Sequence, residues 1–239
     1  NGCAAGNTLE EAIVQGFLEL VERDSYAIWW YNRLQRAGMD LSLIDDAYVR
    51  DLQVQLAETG RRPWVLDITS DLGIPSFVAV THWTENSQEQ FEFGSGAHFD
   101  TRIAVLRAMT ELNQFLSIGL MGGRDTGKCC HDDNELRLRG HSYLAPSGNP
   151  LIRPDFARLD KREQVMACVR LAKREGLDFL VLDQTRPDIE VPVVRVIVPG
   201  LRHFYRRFAP GRLYDVPIKL GLRERPLSEG DLNPLHPRT

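Results

Sequence analysis

The chain has 239 residues, 43% hydrophobic and 26% charged, the balance of a globular protein with a sizeable core. Its formal net charge of −4 and pI of about 5.9 lack the basic excess of a nucleic-acid binder. No run approaches the ~18 apolar residues of a membrane-spanning helix, so neither nucleic acid nor membrane is an expected partner.

Four cysteines make no disulfide framework at this length, which points to a reducing cytoplasm. The chain opens on Asn1-Gly2, inside what reads as a Gly-rich loop, and so looks like a piece of something longer.

Residues 1–8 read as a loop, with Thr8 as an N-cap, and residues 9–29 as a helix. At 100° per residue from Glu11, the positions Ile13, Val14, Phe17, Leu18, Leu20 and Val21 spread over about 180° to 340°. Glu22, Glu19 and Arg23 fall at about 20°, 80° and 120°. Residues 40–60 look helical and amphipathic. Residues 64–69 and 75–83 read as strands separated by the turn Ser70-Asp71-Leu72-Gly73.

Residues 89–93 alternate as a third strand that breaks at Gly94-Ser95-Gly96, and residues 97–118 form a second long helix. Residues 119–150 are polar and Gly-rich, a long loop or lid. Residues 161–175 form a third helix ended by Gly176. Residues 178–184 and 191–198 are short buried strands, before a tail punctuated by Pro and Gly. The expected architecture is α/β: one domain with a mixed sheet and packed helices.

Two helical stripes carry candidate chemistry. Glu11, Glu19 and Glu22 stack carboxylates on one face of the first helix, where like charges repel. Mg²⁺ relieves such repulsion, because it prefers carboxylate oxygens together with phosphate oxygens. Arg23 beside them suits a bidentate phosphate contact. The competing reading is a solvated face with a Glu19–Arg23 ion pair. On the second long helix Arg107, Glu111 and Gln114 share a stripe within about 60°. They read either as phosphate, metal and nucleobase contacts or as an ordinary polar face.

Other patterns are set aside. Gly122, Gly127 and Lys128 have P-loop spacing, but Cys129 stands where a Ser or Thr hydroxyl belongs, and the segment follows a helix rather than a strand. Cys129, Cys130 and His131 lack the separation that lets two thiolates reach one zinc ion. Cys168 falls on an apolar helical face and reads as core, and Cys3 as a small packing residue in the loop.

The opening Asn1-Gly2-Cys3-Ala4-Ala5-Gly6-Asn7-Thr8-Leu9-Glu10-Glu11-Ala12, followed by Glu19-Leu20-Val21-Glu22-Arg23-Asp24, closely resembles the signature of YcaO-like proteins. Ala97-His98-Phe99-Asp100, the run from Arg107 to Gln114, the run from Val196 to Leu201 and the run from Arg212 to Pro217 resemble further family segments in the family's order. The resemblance covers essentially the whole chain, as the C-terminal two-thirds or so of a YcaO domain whose N-terminal part is missing.

It implies a YcaO-like ATP-binding fold in which helix carboxylates, not a P-loop, hold Mg²⁺ and the phosphates of ATP. Carried over by motif position, Glu11, Glu19, Glu22 and Glu111 serve the metal and phosphates, with Glu19, Glu22 and Glu111 the catalytic set. Asn7, Glu11, Arg23, Arg107 and Gln114 serve the nucleotide.

The implied activity is an ATP-dependent cyclodehydratase subunit that turns Cys, Ser or Thr of a ribosomal precursor peptide into thiazoline or oxazoline. A leader-peptide-binding partner protein or domain is implied, and a homodimer is compatible. The tail Asn233-Pro234-Leu235-His236-Pro237-Arg238-Thr239 matches only part of the P-x-P-x-P ending of azoline-forming members. A thioamide-forming YcaO enzyme with a helper protein and a non-catalytic scaffold stand as alternatives, the intact carboxylates arguing against the latter.

Overall fold

The computed structural model describes residues 1–85, 88–121, 141–148 and 159–237. In chain order the elements are β1 (Cys3–Ala5), α1 (Leu9–Asn32), β2 (Gly38–Met39), α2 (Ala47–Glu58), β3 (Trp64–Asp67), β4 (Ser76–Glu85), β5 (Gln88–Ala97), α3 (Thr101–Met121), α4 (Lys161–Arg174), β6 (Leu180–Asp183), β7 (Val193–Ile197) and α5 (Arg212–Lys219). The strands form two antiparallel sheets, ordered β1-β7-β6 and β2-β3-β4-β5. The expected α/β architecture with packed helices is therefore present, but among the described residues the strands pair antiparallel in two sheets rather than in the one mixed sheet expected.

Helix α1 joins the two sheets. Thr8 caps it as expected: its backbone is extended and its hydroxyl accepts from the Glu11 amide at 3.2 Å. The N-terminal half buries Ala12, Val14, Phe17, Leu18 and Val21 against Val194 and Val196 of β7 and Cys168 and Leu171 of α4. The helix outruns the expected end at residue 29 because its second half is a buried aromatic block, Tyr26, Trp29, Trp30 and Tyr31. That block packs on Leu66, Val78, Val80, Phe91 and Phe93 of the four-stranded sheet. The opposite face of that sheet, with Val65, Phe77 and Ala79, is covered by α2 and α3. Both faces of this sheet are thus buried between helices, which is why β3 and β4 carry apolar residues in runs, while β5 keeps its alternation.

Several local expectations are corrected. Residues 3–5 are a strand rather than loop, paired with β7 from Cys3↔Arg195 to Ala5↔Val193. The glycine before them permits this: Gly2 has φ of 79°, and a Cβ there would sit 2.2 Å from the Val196 carbonyl oxygen. The strand expected to break at residue 94 continues to Ala97. Helix α3 starts at Thr101 rather than residue 97, its first turn capped by Asp100, whose carboxylate accepts from the Arg102 amide at 2.8 Å.

The edge strand β6 is not buried: Leu180 and Leu182 are 53% and 52% exposed. Of the stretch expected as a loop or lid, residues 119–121 complete α3, while Tyr143 and Leu144 are buried, with Trp29 Nε1 donating to the Tyr143 carbonyl at 3.4 Å. Gly122, Gly127, Lys128, Cys129, Cys130 and His131 lie outside the described residues.

Candidate functional site

Among the described residues β5 is an edge strand, and its open side is taken by side chains rather than by another strand. The Ser95 amide donates to Glu111 Oε2, and the Ala97 carbonyl accepts from Arg107 Nη1 at 3.1 Å. Both partners come from α3. The helix lies this close because β5 presents glycines to it: a Cβ on Gly94 would sit 2.1 Å from the Leu112 nitrogen, and one on Gly96 2.4 Å from the Ala104 oxygen. The Gly94-Ser95-Gly96 motif is therefore the seat of α3, not a strand terminator.

Helix α1 passes the same edge and brings its acidic stripe to it. Glu22 Oε1 lies 2.8 Å from Ser95 Oγ and 2.7 Å from Arg23 Nη1, and Ser95 Oγ is 2.9 Å from Glu111 Oε2. Arg23 Nη1 also reaches Ser95 Oγ at 3.3 Å, its Nη2 lies 3.8 Å from Glu19, and the guanidinium stands 5.0 Å over the Phe204 ring. The expected Glu19–Arg23 pair exists, but the face is not solvated: Glu22 and Ser95 are buried. Burial raises the Glu22 carboxyl above its ordinary value, opposed by the Arg23 charge and reinforced by the Glu111 charge.

The remaining expected residues extend along the same helices. Glu19 accepts from the amide of Gly2, the residue before β1, at 2.8 Å. Glu11, two turns further toward the N-terminus, is held by both the amide and the side chain of Asn7, each at 2.9 Å. Those two bonds, the backbone one first, lower its carboxyl below the ordinary value.

Arg107 of α3 donates to Gln15 Oε1 at 2.6 Å, between the levels of Glu11 and Glu19. Gln114 lies one turn beyond Glu111 and is exposed. The structure thus gathers Glu22, Arg23, Ser95 and Glu111 into contact, sets Glu19 beside them, and keeps Asn7 and Glu11 as a separate pair.

Ser95, Gln15 and the Gly2 amide also contact these candidate residues and are not among those expected from the sequence. Gln15 was legible there, at about 40° on the same stripe as Glu11 and Glu22. Cys168 is core as expected, and burial pushes its thiol up to about 12.

Among the described residues, no group of three or more Asp, Glu, His or Cys side chains is gathered closely enough to enclose a metal ion. Mg²⁺ does not require one: it keeps several waters and takes one or two carboxylates together with phosphate oxygens. Two carboxylates from different helices converging on one hydroxyl, with a guanidinium alongside, fit that mode of binding.

An α/β protein with paired helix carboxylates and guanidinia at an open sheet edge has the makings of a phosphate-and-magnesium site built without a P-loop. Residues 1–202 match the model of the YcaO cyclodehydratase family, which is ATP- and Mg²⁺-binding, and the chain belongs to that family.

It is similar to a heterocyclase solved in complex with substrate and cofactor, at 48% identity and TM-score 0.86, covering 98% of this chain and 32% of that one. It is similar to the heterocyclase TruD at 47% identity and TM-score 0.86, over 100% of this chain and 34% of that one. It is also similar to the YcaO of Methanopyrus kandleri bound with AMPPCP and Mg²⁺, at 28% identity and TM-score 0.64, over 85% and 56% of the two chains. The chain spans about half the length of the curated relatives it matches, 56% of one and 52% of another. No helix among the described residues is long and apolar enough to cross a membrane.

Proposed function

We propose that this chain is the ATP-binding portion of a cyclodehydratase that forms thiazoline or oxazoline rings in a ribosomal precursor peptide. The observation that carries the reading is the meeting of Glu22, Glu111 and Arg23 at Ser95, held by α1, α3 and β5 together. In this reading Glu22, Glu111 and the adjacent Glu19 hold Mg²⁺, which neutralises the triphosphate of ATP. Arg23 and Arg107 bind phosphate oxygens bidentately. Glu11 serves the far end of the phosphate and metal cluster, with Asn7 and Gln114 as further nucleotide contacts. These groups orient and screen charge, and none of them acts as a covalent nucleophile.

The reaction proposed has a Cys, Ser or Thr side chain add to the preceding amide carbon. The former amide oxygen takes the γ-phosphoryl group of ATP and then leaves as inorganic phosphate, closing the C=N bond of the azoline. A leader-peptide-binding partner protein or domain presents the precursor. Support comes from membership of the family and from two heterocyclase structures at 48% and 47% identity, one of them in complex with substrate and cofactor.

The test uses the full-length protein with its precursor, labelled with heavy oxygen at the reacting amide. Loss of one water per modified residue, with the label recovered in inorganic phosphate, is expected. Exchange of O for S in the peptide would instead identify a thioamide-forming enzyme. Rings forming with the label only in water would overturn the phosphorylation step.

A further inference from the structure

The geometry points to Ser95 as a positioning residue that holds Glu22 and Glu111 in register for joint contact with one magnesium–triphosphate unit. This rests on the reading of those two carboxylates as metal and phosphate ligands, and goes beyond it by naming what sets their spacing. Three observations carry it.

First, the Ser95 side chain touches both carboxylates and Arg23 at once, at 2.8, 2.9 and 3.3 Å, while its backbone amide is given to Glu111 alone. Second, Ser95 is 4% exposed, so no water substitutes freely for these contacts. Third, its neighbours Gly94 and Gly96 fix how near α3 comes, and therefore how far the Glu111 side chain extends to meet it.

A hydroxyl has one proton to give and two lone pairs to receive. Ser95 Oγ therefore donates to one carboxylate at a time while accepting from Arg23. Because Glu111 already holds the Ser95 amide, the hydroxyl is the contact that ties Glu22 to the same point. Without it Glu22 is left to Arg23, whose flexible side chain sets no fixed distance to α3. Mg²⁺ demands a near-ideal octahedron of oxygens, so the separation of two carboxylates on different helices matters more than their mere presence. Ser95 is neither ligand nor reactant in this scheme; it acts through the two glutamates.

The test is Mn²⁺ binding to the full-length protein in the presence of a non-hydrolysable ATP analogue, followed by the paramagnetic signal of free Mn²⁺, alongside thermal unfolding without metal. Ser95→Ala is expected to weaken Mn²⁺ binding by about 10- to 100-fold, the range seen when partners that orient ligands are removed, with the unfolding temperature nearly unchanged. Ser95→Thr, which keeps the hydroxyl, is expected to recover most of the affinity. A lower unfolding temperature with Mn²⁺ affinity intact in Ser95→Ala would mean a packing role and overturn the assignment. Glu22→Gln is the control that separates the two readings. Weak Mn²⁺ binding in Glu22→Gln with wild-type binding in Ser95→Ala removes only the role of Ser95. Wild-type binding in Glu22→Gln removes the ligand reading, and the role of Ser95 with it.

Discussion

Arg212 of α5 grips the carboxylate of Asp24 on α1 with two nitrogens, Nη2 at 2.6 Å and Nε at 3.1 Å. The same guanidinium reaches Asp71 at 2.7 Å, and Asp24 also accepts from the Arg202 amide at 2.8 Å. Asp24 is fully buried, one residue after Arg23, so this clamp fixes the rotation of α1 that aims Glu22 and Arg23 at β5. Burial alone would make the guanidinium easier to deprotonate, but Asp24 and Asp71 more than offset it, and Arg212 is held above its ordinary value.

Removing one partner of such a pair leaves an uncompensated buried charge and typically costs about 3–5 kcal/mol. Arg212→Met is expected to destabilise the full-length protein by that amount in chemical denaturation. The double variant Arg212→Met/Asp24→Asn should cost less than the sum of the two single changes. Additive losses would show that the two residues do not act as a pair.

A second expectation concerns the seat of α3. Gly94→Ala places a methyl group 2.1 Å from the Leu112 nitrogen and 2.3 Å from the Ala108 oxygen, both backbone atoms that cannot swing aside. Overpacking of this kind costs about 1–3 kcal/mol, and the helix must move away from β5. Glu111 then loses the Ser95 amide, so ATP turnover should fall alongside stability. Stability lost with turnover unchanged would show that the contact of α3 with Ser95 does not matter to the site.

The helical stripe was legible because a 3.6-residue period converts spacing directly into a face. Glu11, Glu19, Glu22 and Arg23 were found that way, and Glu111 and Arg107 on α3 likewise. The family itself was legible in the same segments, matched over residues 1–202. The burial of Glu22 was not, because it depends on a strand that arrives from far along the chain. Asp24 and Arg212 both sat in recognisable segments, yet 188 residues separate them, and no local pattern joins two such charges. Gly94-Ser95-Gly96 was misread for a different reason. Glycine in a strand signals either a break or a close approach, and only the helix lying on it decides which. The exposure of β6 was hidden in the same way, since its apolar residues look the same whether or not anything covers them.

His98 follows β5 and is half-buried, its Nδ1 accepting from the Asp100 amide at 3.0 Å. Burial and then the nearby Arg107 charge lower its pKa to about 4 from 6.5. With the folded value below the unfolded one, the unfolded chain binds the proton more readily between these values. His98 therefore costs the folded state nothing above about 6.5, and lowers stability as pH falls from there toward about 4. His98→Gln should flatten that part of the stability curve. Parallel curves for wild type and variant, measured by denaturation from pH 4 to pH 7, would show that the ring keeps its ordinary affinity for protons.

The sharpest expectation sets Glu22 against itself, as a group that opposes folding and supports function. Its carboxyl is raised in the folded state chiefly by burial, with Glu111 and Glu19 adding to the rise despite Arg23. A carboxyl raised on folding lowers stability at every pH above its unfolded value, because the charged form is the one the fold disfavours. Glu22→Gln keeps the shape and a hydrogen-bonding group at Ser95 while removing that charge, and Arg23 retains Glu19 at 3.8 Å.

Thermal unfolding of the variant without Mg²⁺ or ATP is therefore expected at the wild-type temperature or above it. ATP turnover is expected to fall at least about 100-fold, the upper end of what loss of a ligand's supporting partner costs. Glu19→Gln provides the comparison: turnover should fall similarly, but no gain in stability is expected from the more exposed carboxylate. A Glu22→Gln protein that unfolds earlier and turns over ATP normally would show that Glu22 is held for structure alone. The magnesium assignment of the whole stripe would fall with it.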